Sequence, residues 1–393
     1  MKIKHLLLVL LTMSTIGLAV TSYKMFNREH FNLPIQVDPV EEGGETPINP
    51  PPPKEPTFDE AVESINSKQL KEDLTYLASD ELEGRMSGKK GNIVAAEFIK
   101  KKYEEFGLPT MYHKFSIERL NPGPKKEQGD DFTQNIYAWI EGSDPVLKNE
   151  IVVIGAHMDH IGYGPSMSRT PNKRTVHNGA DDNGSGTVAL LEIAKSFSML
   201  KGQVKRTVVF QSYSAEEMGL IGSRFYCNNP VFPKENPSMQ KHVFMLNMDM
   251  IGYLGKGEYF VNWSTGDSSI DVSRYIDLLN GKYPFAKKIT SRGSGGSDHA
   301  SFYNKKVPIA FLHTGLHPYY HTPDDDTDRI NFEGMEKVAR YGFELSWKVV
   351  QSDNAPKFNY AKFKELPYTH DHGHPDMPFH SYHQHPHGGK NDK

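Results

Sequence analysis

Five short apolar runs, 136–140, 151–154, 207–210, 243–246 and 307–312, recur along the chain with helical patterns between several of them. Runs of that length, rich in β-branched residues, read as buried strands. Strands alternating with helices imply an α/β fold: a single three-layer sandwich whose mixed, mostly parallel, twisted sheet is flanked by helices. Residues 187–197 are apolar almost all round, as expected of a helix buried against that sheet. A first helical stretch begins near Phe58 and places Leu70, Leu74 and Leu77 at helical spacing. A further helix is expected from Asn92, as N-cap, to Gly107, with Ile93, Ala96, Tyr103 and Phe106 on its buried face. The pattern leaves strand order open.

The 393 residues could hold two or three domains, yet the foldable stretch is shorter and fits one core. Lys2 and Lys4 precede an apolar run from Leu6 to Val20, the layout of a secretory signal or short anchor. We therefore expect a leader over 1–31 and an exported protein, periplasmic, secreted or tethered to a membrane and facing outside the cytoplasm. A stiff, Pro-rich linker over 32–57 follows, then a folded domain over 58–355. From 356 to 393 the apolar pattern fades into a disordered tail holding His370, His372, His374, His380, His383, His385 and His387. Lys plus Arg number 45 against 49 acidic residues, so no basic field points to nucleic acid. Cys227 is the sole cysteine, which excludes an intrachain disulfide.

Chemistry-bearing residues gather just after the apolar runs. Gly155-Ala156-His157-Met158-Asp159-His160 closes the second run, and Ser214-Ala215-Glu216-Glu217-Met218-Gly219 follows the third. Asn247-Met248-Asp249-Met250 ends the fourth, Tyr320-His321-Thr322-Pro323-Asp324 comes a short loop after the fifth, and Gly179-Ala180-Asp181-Asp182-Asn183-Gly184 leads into the buried helix. Each piece alone fits a turn, a cap or a structural histidine. Together they would converge at the carboxyl edge of a sheet, where open α/β folds bind ligands. Two imidazoles and three carboxylates suit a pair of borderline cations such as zinc, each with three protein ligands and one carboxylate shared. A spare glutamate is then available as a base.

With these residues the chain resembles the secreted di-zinc aminopeptidases, a group that includes bacterial leucyl aminopeptidases and aminopeptidase Y and is related to glutamate carboxypeptidase and glutaminyl cyclase. The resemblance spans roughly 58–351, opening on Leu77-Ala78-Ser79-Asp80-Glu81-Leu82-Glu83-Gly84-Arg85 and keeping the motifs in the family's order. It implies the di-zinc peptidase fold, two zinc ions per chain and peptide substrates with a free N-terminus. Asp182 would bridge the metals, Glu217 and His321 would complete one site, and His157 and Asp249 the other. Glu216 would be the general base, and Asp159 would orient His157. The Asp182–Asn183 peptide would be cis. Ser297 and Asp298, within the stretch 293–300, would line the pocket for the substrate's amino end. The short interval between Tyr112 and Asn135 leaves no room for the inserted protease-associated domain of larger members. Rival readings are a glutaminyl cyclase with one working zinc, a non-catalytic binding protein, and a protein that sequesters metal through its histidine tail.

Overall fold

The structure, a computed structural model, describes residues 54–117, 131–164, 167–170, 174–254, 260–263, 268–289, 296–366 and 368; the leader, most of the linker and the histidine run lie outside them. Helix α1 (Phe58–Ser64) opens on a reciprocal cap, in which Glu60 N–H donates to Thr57 Oγ1 at 3.2 Å and Thr57 N–H to Glu60 Oε2 at 2.7 Å. Asn66 caps α2 (Ser67–Leu77), which buries Leu70, Leu74 and Leu77 as their spacing predicts. Helix α3 (Lys90–Glu105) departs from the expectation: Lys89 occupies the cap position, and Asn92 lies inside the helix. There Asn92 Oδ1 accepts hydroxyl hydrogen bonds from Thr133 and Ser214. That buried polar contact turns Asn92 inward and leaves Ile93 at 44% exposure, so the inner face runs through Ala95, Ala96, Ile99 and Tyr103.

Among the described residues eight strands form one sheet: β1 (Thr110–Ser116), β2 (Phe132–Ile140), β3 (Ile151–His157), β4 (Thr207–Tyr213), β5 (His242–Met248), β6 (Phe260–Trp263), β7 (Ala286–Ile289) and β8 (Ile309–His313). Their order is β1-β2-β4-β3-β5-β8-β6-β7. The central strands β4, β3, β5 and β8 are mutually parallel, while the β1–β2, β2–β4 and β6–β8 pairings are antiparallel. The expected mixed sheet is present, with its parallel part at the centre.

Period-two alternation splits the strand side chains between two cores. Val152, Ile154, Val208, Phe210, Phe244 and Leu246 face α1, α2, α3, α4 (Gly186–Met199) and α8 (Phe332–Gln351). Ile151, Val153, Val209 and Met245 face the opposite side, where Tyr226 and Cys227 of α5 (Ile221–Asn228) meet Phe302 and Tyr303 of α7 (His299–Asn304). Helix α6 (Ile270–Leu279) adds Val272 and Ile276 to the first core. Cys227 is 3% exposed, and burial pushes its thiol well above the ordinary range.

The folded body does not stop at residue 355. Leu366 N–H donates to Asn304 Oδ1 at 2.8 Å and Asn304 Nδ2 to Leu366 O at 2.9 Å, while Phe358, Phe363 and Tyr368 pack on the second core. The segment from 356 to 366 is thus ordered, contrary to the expectation of a disordered tail from 356 onward. Its aromatic anchors dock without any helical or strand period, which is why the sequence pattern faded there.

Candidate metal centre

The parallel strands β3, β4 and β5 end at one edge, and each delivers polar donors there: His157 as the last residue of β3 with Asp159 just beyond it, Glu216 and Glu217 shortly after β4, Asp249 directly after β5. His321 arrives from the loop beyond β8, and Asp182 from the turn 180–185 that feeds α4. Left-handed backbone, uncommon outside glycine, occurs at Ala215, Met250 and His321, each at or beside one of these donors. Gly179 also has positive φ, and a Cβ there would meet Asp182 O at 2.2 Å and the His160 ring at 2.5 Å, so only glycine fits. The Asp182–Asn183 peptide is cis, as expected.

The donors form two groups that share Asp182. Its Oδ2 lies 3.0 Å from His321 Nε2, which is itself 3.2 Å from Glu217 Oε2. Its Oδ1 lies 3.5 Å from His157 Nε2, which is 3.4 Å from Asp249 Oδ1 and 3.9 Å from Glu216 Oε2. His160, Asp182, Glu217 and His321 could hold one cation, and His157, Glu216 and Asp249 surround the place for another. Every one of these residues is nearly sealed from solvent.

Burying so many acids together is costly without positive charge. Burial, reinforced by Glu217, raises the Asp182 carboxyl to about 7. Burial likewise drives Glu216 well above the usual carboxylate range, with Glu217 and Asp249 adding to it and His157 opposing. Burial would lower His321, but Glu217 and Asp182 overcome it and hold its imidazole at about 10. Glu217 is pulled well below the usual range against its burial, chiefly by His321 and His160. His157 Nε2 and Glu216 Oε1 are buried and make no hydrogen bond among the described residues. Inward-turned imidazole nitrogens, crowded carboxylates and orphaned polar atoms are the donor set that divalent cations of the zinc class fit.

A second tier of contacts fixes these donors. His157 Nδ1 faces Asp159 O at 3.2 Å and Asp159 Oδ1 at 3.7 Å, and His321 Nδ1 faces Met167 O at 3.0 Å. The Asp159 carboxylate makes its hydrogen bonds elsewhere: its Oδ1 accepts from Glu216 N–H at 3.2 Å and its Oδ2 from the Ser87 hydroxyl at 3.1 Å. Ser87 Oγ in turn accepts from Ala215 N–H at 2.8 Å, bracing the turn that carries Glu216. Asp325 accepts from Asp181 N–H at 3.0 Å and Asp182 N–H at 3.1 Å, tying the His321 loop to the Asp182 turn. Asp181 Oδ1 accepts from Gly252 N–H, and its Oδ2 lies 3.1 Å from His317 Nε2. Arg85 donates to Met158 O, Leu77 O, Asn178 O and Gly179 O, binding the loops of His157 and Asp182 together.

Sequence reasoning missed Ser87, Asp325, His160, His317 and the bracing role of Arg85. Gly84-Arg85 stood in a quoted signature, and His160 in a quoted motif; a charged residue beside glycine in such a segment was the available signal. Ser297 is fully buried and its hydroxyl accepts from Asn247 Nδ2 at 2.7 Å, two residues before Asp249. Asp298 is also buried, its carboxyl raised to about 7 by burial with His157 pulling the other way, so it reaches the charge field of the centre.

The sequence profile described as Peptidase family M28 matches residues 135–345, the stretch that carries all the candidate metal-holding residues named above. The chain belongs to this family. Among curated relatives, a probable leucine aminopeptidase of Trichophyton verrucosum is 33% identical over 218 residues, covering 52% of the M28 chain and 53% of the relative. The chain therefore spans about half the length of the curated relatives it matches. A zinc aminopeptidase from Bacillus subtilis, BSAP, superposes with a TM-score of 0.60 over 78% of this chain and 98% of its own, at 17% identity. The glutaminyl cyclase of Bacteroides thetaiotaomicron superposes with a TM-score of 0.57 over 72% of this chain and 98% of its own, at 18% identity. At such identities these two structures speak to the fold.

Proposed function

We propose that the M28 chain is an exported aminopeptidase that binds two zinc ions and removes N-terminal residues from peptides. The observation that carries this reading is Asp182, whose two carboxylate oxygens face separate donor groups, one with His321 and Glu217, the other with His157 and Asp249. Asp182 would be held by both ions, and His160 lies beside the first group without being counted among its ligands. The aminopeptidase names carried by curated relatives favour the same chemistry.

Zinc in such a site supplies Lewis acidity, polarising a carbonyl and making a bound water more acidic. Glu216 faces this place from the mouth of β4 and, on this reading, takes a proton from the attacking water and passes it to the departing amine. Asp159 and Ser87 fix the turn on which Glu216 sits, so that its carboxylate meets the substrate with little reorganisation. Asp298, within the electrostatic reach of His157, offers a buried carboxylate for the substrate's amino end, and Ser297 shapes that wall through Asn247. The leader 1–31 would direct export or tether the protein. The histidine run would recruit metal.

Elemental analysis of the protein, together with a panel of aminoacyl anilides, tests the proposal. Two zincs per chain and chelator-sensitive release of N-terminal residues are expected. Glu216→Gln should keep the metal and lose about 10²- to 10⁴-fold in turnover; near-normal turnover would end the assignment of the base. The fold shared with a glutaminyl cyclase keeps a second reading in play, and one zinc with cyclisation of N-terminal glutamine would select it.

A further inference from the structure

His160 is the residue in the Glu217 half of the centre that the motifs assign to nothing, and its two ring nitrogens have different surroundings. Nδ1 lies 2.8 Å from Glu217 Oε1 and 3.7 Å from Asp182 Oδ2. Nε2 is buried and makes no hydrogen bond among the described residues. The ring is seated in space that only Gly179 leaves open, and it stands edge-on to the His321 ring at 5.5 Å.

His157 and His321 are turned the other way. Their Nδ1 atoms face backbone carbonyls, Asp159 O and Met167 O, which leaves each Nε2 lone pair pointing inward. A ligating imidazole keeps a proton on the nitrogen opposite the metal, and that proton almost always finds an acceptor. If His160 Nδ1 bound a cation, the proton would sit on Nε2, a buried donor with no acceptor there. The other tautomer places it on Nδ1, aimed at Glu217 Oε1, and leaves Nε2 bare, the less costly of the two orphans.

We propose that His160 is a positioning residue: its Nδ1–H holds Glu217 Oε1 and thereby presents Oε2, 3.2 Å from His321 Nε2, as the single oxygen for the cation. The inference rests on the metallopeptidase reading above and adds a residue that ligates nothing and touches no substrate. Its loss weakens retention of the ion in the His321 half.

The test uses the full chain as wild type, His160→Ala and His160→Asn. Zinc retention is measured by elemental analysis across a chelator series, and the visible spectrum is recorded after exchange with cobalt. An asparagine amide can place an N–H near the position of imidazole Nδ1, so it supplies the hydrogen bond without being an imidazole ligand. His160→Ala should release one of the zincs at about ten- to a hundred-fold weaker effective affinity. His160→Asn should restore retention to within a few-fold of wild type, with an unchanged cobalt spectrum. Retention in His160→Ala equal to wild type overturns the proposal. So does a His160→Asn protein as defective as alanine with an altered cobalt spectrum, which would make His160 a ligand. A wild-type chain that binds no zinc removes the metallopeptidase reading and this inference with it, whereas a normal wild type beside an unaffected alanine variant removes only the inference.

Discussion

Arg85 is 1% exposed and spends its guanidinium on backbone carbonyls: Nε on Met158 O at 2.9 Å, Nη1 on Leu77 O and Asn178 O at 2.6 Å each, Nη2 on Gly179 O at 2.9 Å. Arg85→Met keeps much of the aliphatic volume and removes every donor. Gly179 O retains a hydrogen bond from Gly184 N–H, so three carbonyls lose the partner seen here. At about 2 kcal/mol for each buried group left unsatisfied, the loss is about 6 kcal/mol. Part of it is offset because the buried cation is itself unfavourable: burial lowers its pKa to about 10 although Asp325, Asp182, Asp159 and Glu217 all raise it. That depression corresponds to roughly 3 kcal/mol of relief when the charge is removed. The net expectation is a destabilisation of about 3 kcal/mol, read as a lower urea midpoint in the metal-free protein, where bound ions cannot mask it. A midpoint shift worth under about 1 kcal/mol would refute the idea that this side chain holds the loops of His157 and Asp182 together.

Asp325→Asn turns one of the oxygens that accept from Asp181 N–H and Asp182 N–H into a donor. It should lower stability by about 1–3 kcal/mol and weaken zinc retention about ten- to a hundred-fold, checked by unfolding and chelator competition. Gly179→Ala forces a Cβ to 2.2 Å from Asp182 O at positive φ; we expect less folded protein, and any that is recovered should carry substoichiometric zinc. His242 tests the acid limb of stability far from the centre. Burial lowers its pKa to about 4, and it stays neutral with Nδ1–H donating to Ser238 O and Nε2 accepting from the Tyr226 hydroxyl. Between about pH 6.5 and 4 the unfolded chain takes up a proton that the fold refuses, so stability falls as pH falls, by about 3 kcal/mol in all. His242→Gln should flatten that part of the pH–stability curve, and a variant with the wild-type slope would assign the proton uptake to other groups.

The central strands were legible because each is buried on both faces and so reads as an apolar run, and the donors were legible because they stand directly after those runs. Strands β1, β6 and β7 lie outside the central parallel set, and β1 reads Thr-Met-Tyr-His-Lys-Phe-Ser, with only Phe115 buried. Such a strand carries neither an apolar run nor a strict alternation. Ile93 was misplaced because helical spacing alone cannot decide between two neighbouring faces when a buried asparagine sets the rotation. The bracing residues were hidden for a different reason. Ser87, Asp325 and Arg85 act through contacts to backbone groups of segments 73 to 144 positions away in sequence, apart from the local Arg85–Leu77 bond. No spacing rule reports where a carbonyl or amide will point after the chain has folded.

The single thiol has a practical consequence. Cys227 lies on the buried face of α5 at 3% exposure and holds its proton far more tightly than an ordinary cysteine, so at neutral pH it offers almost no nucleophile to alkylating reagents or oxidants. A cysteine placed at an exposed point such as Leu278, 70% exposed on α6, would be the reactive handle for a fluorophore or spin label without prior removal of the native one. On the proposed metal-dependent reading, loss of turnover in the presence of a thiol compound would report competition for bound metal, not attack on the chain.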